Sequence, residues 1–365
     1  MINSTNQTVA SSGDVVASYL PWTNPLNLIS FDTYQKTLYY FNTVVKPVVV
    51  IVGVPTNIIS CIVFKRQGLC DRMNLCLFVL ALVDMTYLAY SMVFTIALWI
   101  KVVQPVVGEE LYMKALYYAL GVSHGWREAS ALVGLVIAVE RCICVVFPLQ
   151  AGSLMRTRTM GLLLATAVTS MQVGFVTWPV KQHVFSVYDN TTGQIRWKTE
   201  LASQWQSSSF LMSYTIFEDT VMLVLVPILN LILVTVATGI TVIRLKAVSS
   251  WRKEVSSFGS EAHVQQVALT KMLVLVSCVY IGSKLPWIVV MLASVLDPDF
   301  SDTGHNYNIY KVSQLMAQLF SYVNSAVTFF IYLAQSSRFK VELRVLFSCF
   351  LPSAGVSETK MPPKI

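Results

Sequence analysis

Seven runs of apolar residues, at 44–64, 74–98, 114–146, 159–180, 212–243, 265–295 and 309–333, decide what this chain can fold into. Each reaches the roughly 20 residues that an α-helix needs to cross a hydrocarbon layer about 30 Å thick. Inside lipid every backbone N–H and C=O must be paired within the protein, which leaves helices and closed barrels as the only spanning structures. Barrel strands alternate apolar and polar residues over about ten positions. These runs are longer and apolar throughout, so the expected fold is all-α, a seven-transmembrane helix bundle. Composition agrees: 12% of residues are charged, against about 25% in a soluble domain. The seventh run is the weakest, broken by Gln314, Gln318, Ser321, Asn324 and Ser325.

Lysine and arginine set the orientation, because loops on the cytoplasmic side carry the excess. Sixteen of the 26 fall in or beside 65–73, 147–158, 244–263 and the segment after 333, and eight fall on the opposite side. The N-terminus is therefore expected outside and the C-terminus inside. The sequons at Asn3, Asn6 and Asn190 all lie on the outer side, as N-glycosylation requires. The net charge of +7 gathers beside the spans, which fits an anionic lipid surface and excludes nucleic acid as a partner. The expected organisation is an extracellular, glycosylated and largely disordered segment at 1–43, the membrane domain at 44–335, an amphipathic cytoplasmic helix at 336–349 and a disordered tail at 350–365. The polar N-terminus, MINSTNQTVASSGD, shows no cleaved signal peptide. None of the seven cysteines lies in a predicted outer loop, so no disulfide is expected. Cys349, just past the last span, is the expected palmitoylation site.

An ionisable side chain at mid-bilayer costs at least about 2.5–3.5 kcal/mol on insertion scales, so each one asks for a partner or a cavity. Asp84, Arg127, Glu128, Glu218, Asp219 and Lys284 fall inside predicted spans, and Glu140 and Arg141 stand side by side near the end of the third. Snorkelling to the interface accounts in part for that last pair. Pro55, Pro227 and Pro286 mark kinks, because proline removes a helical hydrogen bond. The four histidines, at 124, 183, 263 and 305, form no metal-binding cluster, and no phosphate loop or nucleophile elbow is present, so an enzyme is not expected. A transporter, the rival of a different class, would usually show an internal repeat, and the two halves show no self-similarity.

The order of these anchors resembles one family, the rhodopsin-like G protein-coupled receptors, over about residues 44–349. "GVPTN" with Asn57, "LALVD" with Asp84, "ERCICVVFPL", Pro227, "KLPW" with Pro286 and "NSAVTFFIYLAQSSRFK" stand in that family's sequence and spacing. The third-span and seventh-span signatures together look like the lineage-expanded chemosensory receptors of molluscs. The resemblance implies a plasma-membrane receptor that binds an extracellular ligand, a small molecule or a peptide, and activates a heterotrimeric G protein. It makes Glu140, Arg141, Pro148 and Tyr332 the G-protein switch, in which Arg141 leaves Glu140 on activation. It makes Asp84, Ser130, Asn324 and Ser325 a sodium-site-like cluster, with the ion as an allosteric modulator and no other cofactor.

The departures from that pattern are specific. Lys284 stands where the family has a tryptophan, Thr328 and Phe329 replace its Asn-Pro, Thr235 replaces a fifth-span tyrosine, Leu116 lies near the place of its outer cysteine, and Gln266 replaces its sixth-span acid. The implied ligand pocket holds Ser123, Arg127, Asp219, Lys284, Trp287 and Tyr322. Ser123 disfavours a monoamine and Tyr322 disfavours retinal, since family members that bind those carry an acid and a lysine there. Two readings of Arg127 and Lys284 stay open: they receive an acidic ligand group, or they pair internally with Asp84, Glu128 or Asp219. The stretch 181–211 is long enough for the outer hairpin of neuropeptide receptors, the alternative within the same fold. The basic inner segment 244–263 suits an acidic G protein or lipid surface.

Overall fold

In the computed structural model of the chain, residues 19–189, 193–255 and 261–350 are described. Among them are seven helices long and apolar enough to cross a membrane: α1 (Phe31–Gln67), α2 (Arg72–Val103), α3 (Pro105–Val146), α4 (Thr157–Lys181), α5 (Ser209–Ala247), α6 (Val267–Leu296) and α7 (Tyr307–Gln335). The amphipathic α8 (Ser337–Phe350) follows α7 after one residue. Consecutive helices pack together, α7 returns to α1, and α3 runs through the middle, touching α2, α4, α5 and α6. The chain is a multi-pass membrane protein.

Burial explains why the seventh run reads weakly in sequence. The apolar window of α7 has the lowest mean hydropathy, 1.2, yet is 56% buried, whereas that of α5, at 2.6, is 28% buried. Polar residues on α7 face protein, where they find partners, whereas most side chains of α5 lie on the outer surface of the bundle. Asn57 of α1 shows the consequence, donating to the Ser325 carbonyl of α7 at 2.8 Å. A Cβ on Gly121 would lie 2.1 Å from the Cβ of Trp178, so this glycine lets α3 and α4 approach.

The N-terminal boundary differs from the expectation. Residues 19–43 are folded, and α1 begins at Phe31, where the Ser30 hydroxyl caps the helix by accepting from Thr33 N–H at 3.1 Å. The sequence FDTYQKTLYYFN is too polar to register as a span, and it is held by side chains rather than lipid. Tyr34 packs edge-on against Tyr307 at 6.1 Å. The Asn308 amide donates to the carbonyls of Trp22 and Ile29 at 3.1 and 3.0 Å. The expected glycosylation sites Asn3, Asn6 and Asn190 and the tail after Phe350 lie outside the described residues.

Three stretches widen to π-helix: Phe41–Val45, Ala115–Ala119 and Glu218–Leu225. The first and third come two residues before Pro47 and Pro227. A proline cannot donate to the preceding turn and its ring crowds the carbonyl there, and the wider turn makes the room. Between α4 and α5, β1 (Gln182–Asp189) and β2 (Gln194–Leu201) form an antiparallel hairpin. This is the hairpin expected at 181–211; it holds no cysteine, and Cys61, Cys70, Cys76, Cys142, Cys144 and Cys278 are free. Val184 N–H donates to the Tyr118 hydroxyl at 3.2 Å, and Lys114 sits over the Trp197 ring at 5.5 Å, both seating the hairpin on α3. The hairpin marks one end of the bundle; the connections 65–73 and 147–158 mark the other, the basic end.

Candidate functional site

At the basic end the chemistry centres on one carboxylate. Glu140 has no exposed surface, and its two oxygens take Nε and Nη2 of Arg141, the next residue along α3. A second guanidinium also reaches it: Arg72 Nε lies 3.0 Å from Glu140 Oε1. Arg72 opens α2, whose cap is Asp71. Its remaining nitrogens donate to the carbonyls of Ala151 and Met155, at 2.9 and 3.1 Å, and to Cys144 Sγ at 3.1 Å. The Cys144 thiol donates to Glu140 Oε1 at 3.2 Å. Glu140 therefore joins α3 to α2 and to the connection after α3. That connection begins because Phe147 leaves the helical region, at φ −125° and ψ 61°, as the residue before a proline tends to do. Pro148 is exposed, and the flanking Phe147 and Leu149 present apolar surface, Leu149 being 98% exposed.

Tyr332, the other expected switch residue, stands apart from Arg141. It is 1% exposed and packs edge-on against Phe64 at 5.2 Å and tilted against Phe339 of α8 at 5.7 Å. Its hydroxyl makes no hydrogen bond. The ring serves the aromatic cluster that fastens α8 to α1 and α7.

Halfway along the bundle Asp84 is buried, and its Oδ1 accepts from Ser130 at 2.6 Å and from Ser325 at 2.8 Å. Asn324 lines the same cavity, of ≈ 20 Å³, together with Asp84 and Ser130. The four residues expected to act together are brought together from α2, α3 and α7.

Nearer the hairpin end, Glu128 receives both intramembrane cations. Arg127 Nε lies 2.7 Å from Glu128 Oε1, and Lys284 Nζ lies 3.3 Å from the same oxygen and 3.4 Å from Oε2. The Arg127 guanidinium stacks on Trp287, 4.4 Å from the ring centroid. Tyr322 stacks on Tyr87 at 5.2 Å, and Ser123 is buried one turn along α3 from Arg127. Asp219 departs from the expected pocket. Its side chain is 53% exposed, with Lys181 Nζ at 3.8 Å, because the widened turn at Glu218–Leu225 buries its neighbour Glu218 instead. Of the internal partners weighed for Arg127 and Lys284, the one they meet is Glu128.

Two cations escape a reading of the sequence. Arg72 sits at the edge of an apolar run, where a surface role is the ordinary assignment, and nothing nearby in sequence indicates Glu140. Lys46 is 2% exposed and lies over the rings of Phe94 and Tyr322, at 5.4 and 5.8 Å. Its only sequence signal is a charge inside an apolar run. Pro286 lies inside the helix Glu261–Leu296, as expected, two residues after Lys284.

With this geometry in place, the model of a family described as "Serpentine type 7TM GPCR chemoreceptor Srw" matches residues 44–350, which takes in every residue of the site just described. No curated protein matches.

Proposed function

This chain belongs to the Srw family of serpentine-type seven-transmembrane G protein-coupled chemoreceptors, and from that membership we propose that it is a plasma-membrane receptor whose hairpin end faces outward. It binds an extracellular chemical signal there and passes the signal to a heterotrimeric G protein at the basic end. The family is one of receptors, with a chemosensory role. The observation that carries the coupling is the buried Glu140 holding Arg141 and Arg72 at once, beside an apolar pair that finds no cover. An ion pair that is buried in one arrangement and exchangeable in another is a two-state device. Phe147 and Leu149 offer a partner the apolar contact such docking needs. Membranes carrying the receptor accelerate guanine-nucleotide exchange on added G proteins. Leu149→Asp lowers that rate about tenfold, the worth of burying one leucine side chain, with surface expression unchanged. An unchanged exchange rate would sink the coupling.

Asp84, Ser130, Asn324 and Ser325 fit a sodium ion. One carboxylate with hydroxyl and carboxamide oxygens is a hard donor set, and a cavity of ≈ 20 Å³ holds one ion or water. The ion, when bound, supplies a positive charge between α2, α3 and α7 and favours the packed arrangement. Replacing N-methylglucamine by sodium lowers basal nucleotide exchange about fivefold or more, an ordinary allosteric coupling. Asp84→Asn removes the sodium dependence; a response that survives the substitution rules out this site.

This orientation is the one that N-glycosylation at Asn3, Asn6 and Asn190 requires, and it puts the last turn of α8, with Cys349, on the side where acylation would anchor it. A peptide signal is the second reading of the ligand, favoured by the β1–β2 hairpin at the outer mouth.

A further inference from the structure

Around Arg127 the polar groups left over are N–H donors and one tyrosine hydroxyl that can donate. Nε is used by Glu128, while Nη1 and Nη2 are buried and meet no acceptor. The Tyr87 hydroxyl and the Trp287 indole N–H are likewise buried without a hydrogen bond. Arg127, Tyr87 and Lys284 line one small cavity with Ser283 and Ser321. A buried donor left without an acceptor is costly, and a guanidinium can only donate. Charge points the same way. Two cations share one carboxylate, since Lys284 and Arg127 both bind Glu128, and nearby Lys46 lies over the rings of Phe94 and Tyr322. An electropositive site whose guanidinium has two unmet N–H groups calls for a negative group that accepts.

We propose that this cavity receives a carboxylate of the ligand, bound end-on by Arg127 Nη1 and Nη2 and by the Tyr87 hydroxyl. The Nη1–Nη2 edge of a guanidinium matches the two oxygens of a carboxylate, and such paired charge-assisted bonds are among the strongest available to a receptor. Lys284 and Glu128 act as positioning residues: by holding Nε, Glu128 turns the free edge toward the cavity. The chemistry fits a small organic acid or the C-terminal carboxylate of a peptide. The proposal rests on the reading of the hairpin end as the ligand-binding side, but not on G protein coupling.

The test is thermal unfolding of the purified full-length receptor in lipid nanodiscs, without G protein. The probes are straight-chain carboxylic acids beside their methyl esters and primary amides, and pooled tetrapeptides with free or amidated C-termini. Acids or free-terminus peptides raise the unfolding temperature, and their neutral counterparts do not; which of the two sets acts identifies the source. Arg127→Gln abolishes the shift. Because that variant can also misfold, Tyr87→Phe serves as the second arm: it removes one donor without altering buried charge, and it weakens acid binding about tenfold. Equal shifts from acids and their esters or amides overturn the proposal. So do a panel with no active acid, a full shift produced by N-methylglucamine chloride alone, and unchanged affinity in Tyr87→Phe. Loss of nucleotide exchange with these shifts intact would strike the coupling instead.

Discussion

Glu128→Ala receptor does not accumulate at the cell surface. The carboxylate is 2% exposed and is the shared counter-charge of Arg127 and Lys284, so its removal leaves two cations facing each other in low dielectric. Breaking a buried pair by deleting one partner costs about 3–5 kcal/mol, and here one deletion strands both partners. Set against a total stability of about 5–15 kcal/mol for an ordinary domain, that loss sends most of the chain to degradation. Glu128→Ala combined with Lys284→Met recovers part of the surface signal. The remaining Arg127 keeps its stacking on Trp287, and methionine fills the lysine's volume without charge. The check is surface immunofluorescence of an epitope-tagged receptor with a double-mutant cycle, in which coupling between the two positions appears as non-additivity. Surface levels of Glu128→Ala within a factor of two of wild type would remove Glu128 from this role.

What was legible in the sequence follows from what lipid forbids. The seven spans are dictated by backbone hydrogen bonding and length, and all seven stand near where hydropathy puts them. The pairing at Asp84 was legible as well, since a mid-membrane carboxylate must find donors, and hydroxyls on α3 and α7 supply them. Partner choice was not. Glu128 and Asp219 look equivalent as candidates for Lys284, and the π-helical turn that directs Asp219 outward depends on a local widening with no pattern of its own. The folded strap before α1 was missed for a related reason. Its contacts are specific hydrogen bonds to Asn308, 279 or more positions away, which composition does not encode. Arg72 belongs to the same class: at the mouth of a helix it resembles any interfacial arginine until the connection after α3 folds across it.

Arg72 also shapes the second large expectation, the behaviour of the switch. Glu140→Gln raises basal nucleotide exchange, because an amide keeps the volume but gives up the charge that holds two guanidiniums. Losing a charged hydrogen-bonded partner shifts the resting-to-active equilibrium by about 1.5–3 kcal/mol, so a resting receptor with about 1% of molecules active rises to about 10% or more. Arg72→Gln gives a smaller rise. Arg141 keeps both Glu140 oxygens, and what is lost is the tie from Glu140 through Arg72 to the carbonyls of Ala151 and Met155. Arg141→Ala gives no exchange at all, since the group that would meet the G protein is gone while Arg72 still satisfies Glu140 and the fold persists. The order Glu140→Gln above Arg72→Gln above wild type above Arg141→Ala, normalised to surface expression, separates a lock on Arg141 from a purely structural buried pair. A structural pair would lower expression in all three variants and leave exchange per receptor unchanged. If Arg72→Gln exceeds Glu140→Gln, the loop tie rather than the Glu140–Arg141 pair controls the resting state, because only that tie is absent from one variant and weakened in the other.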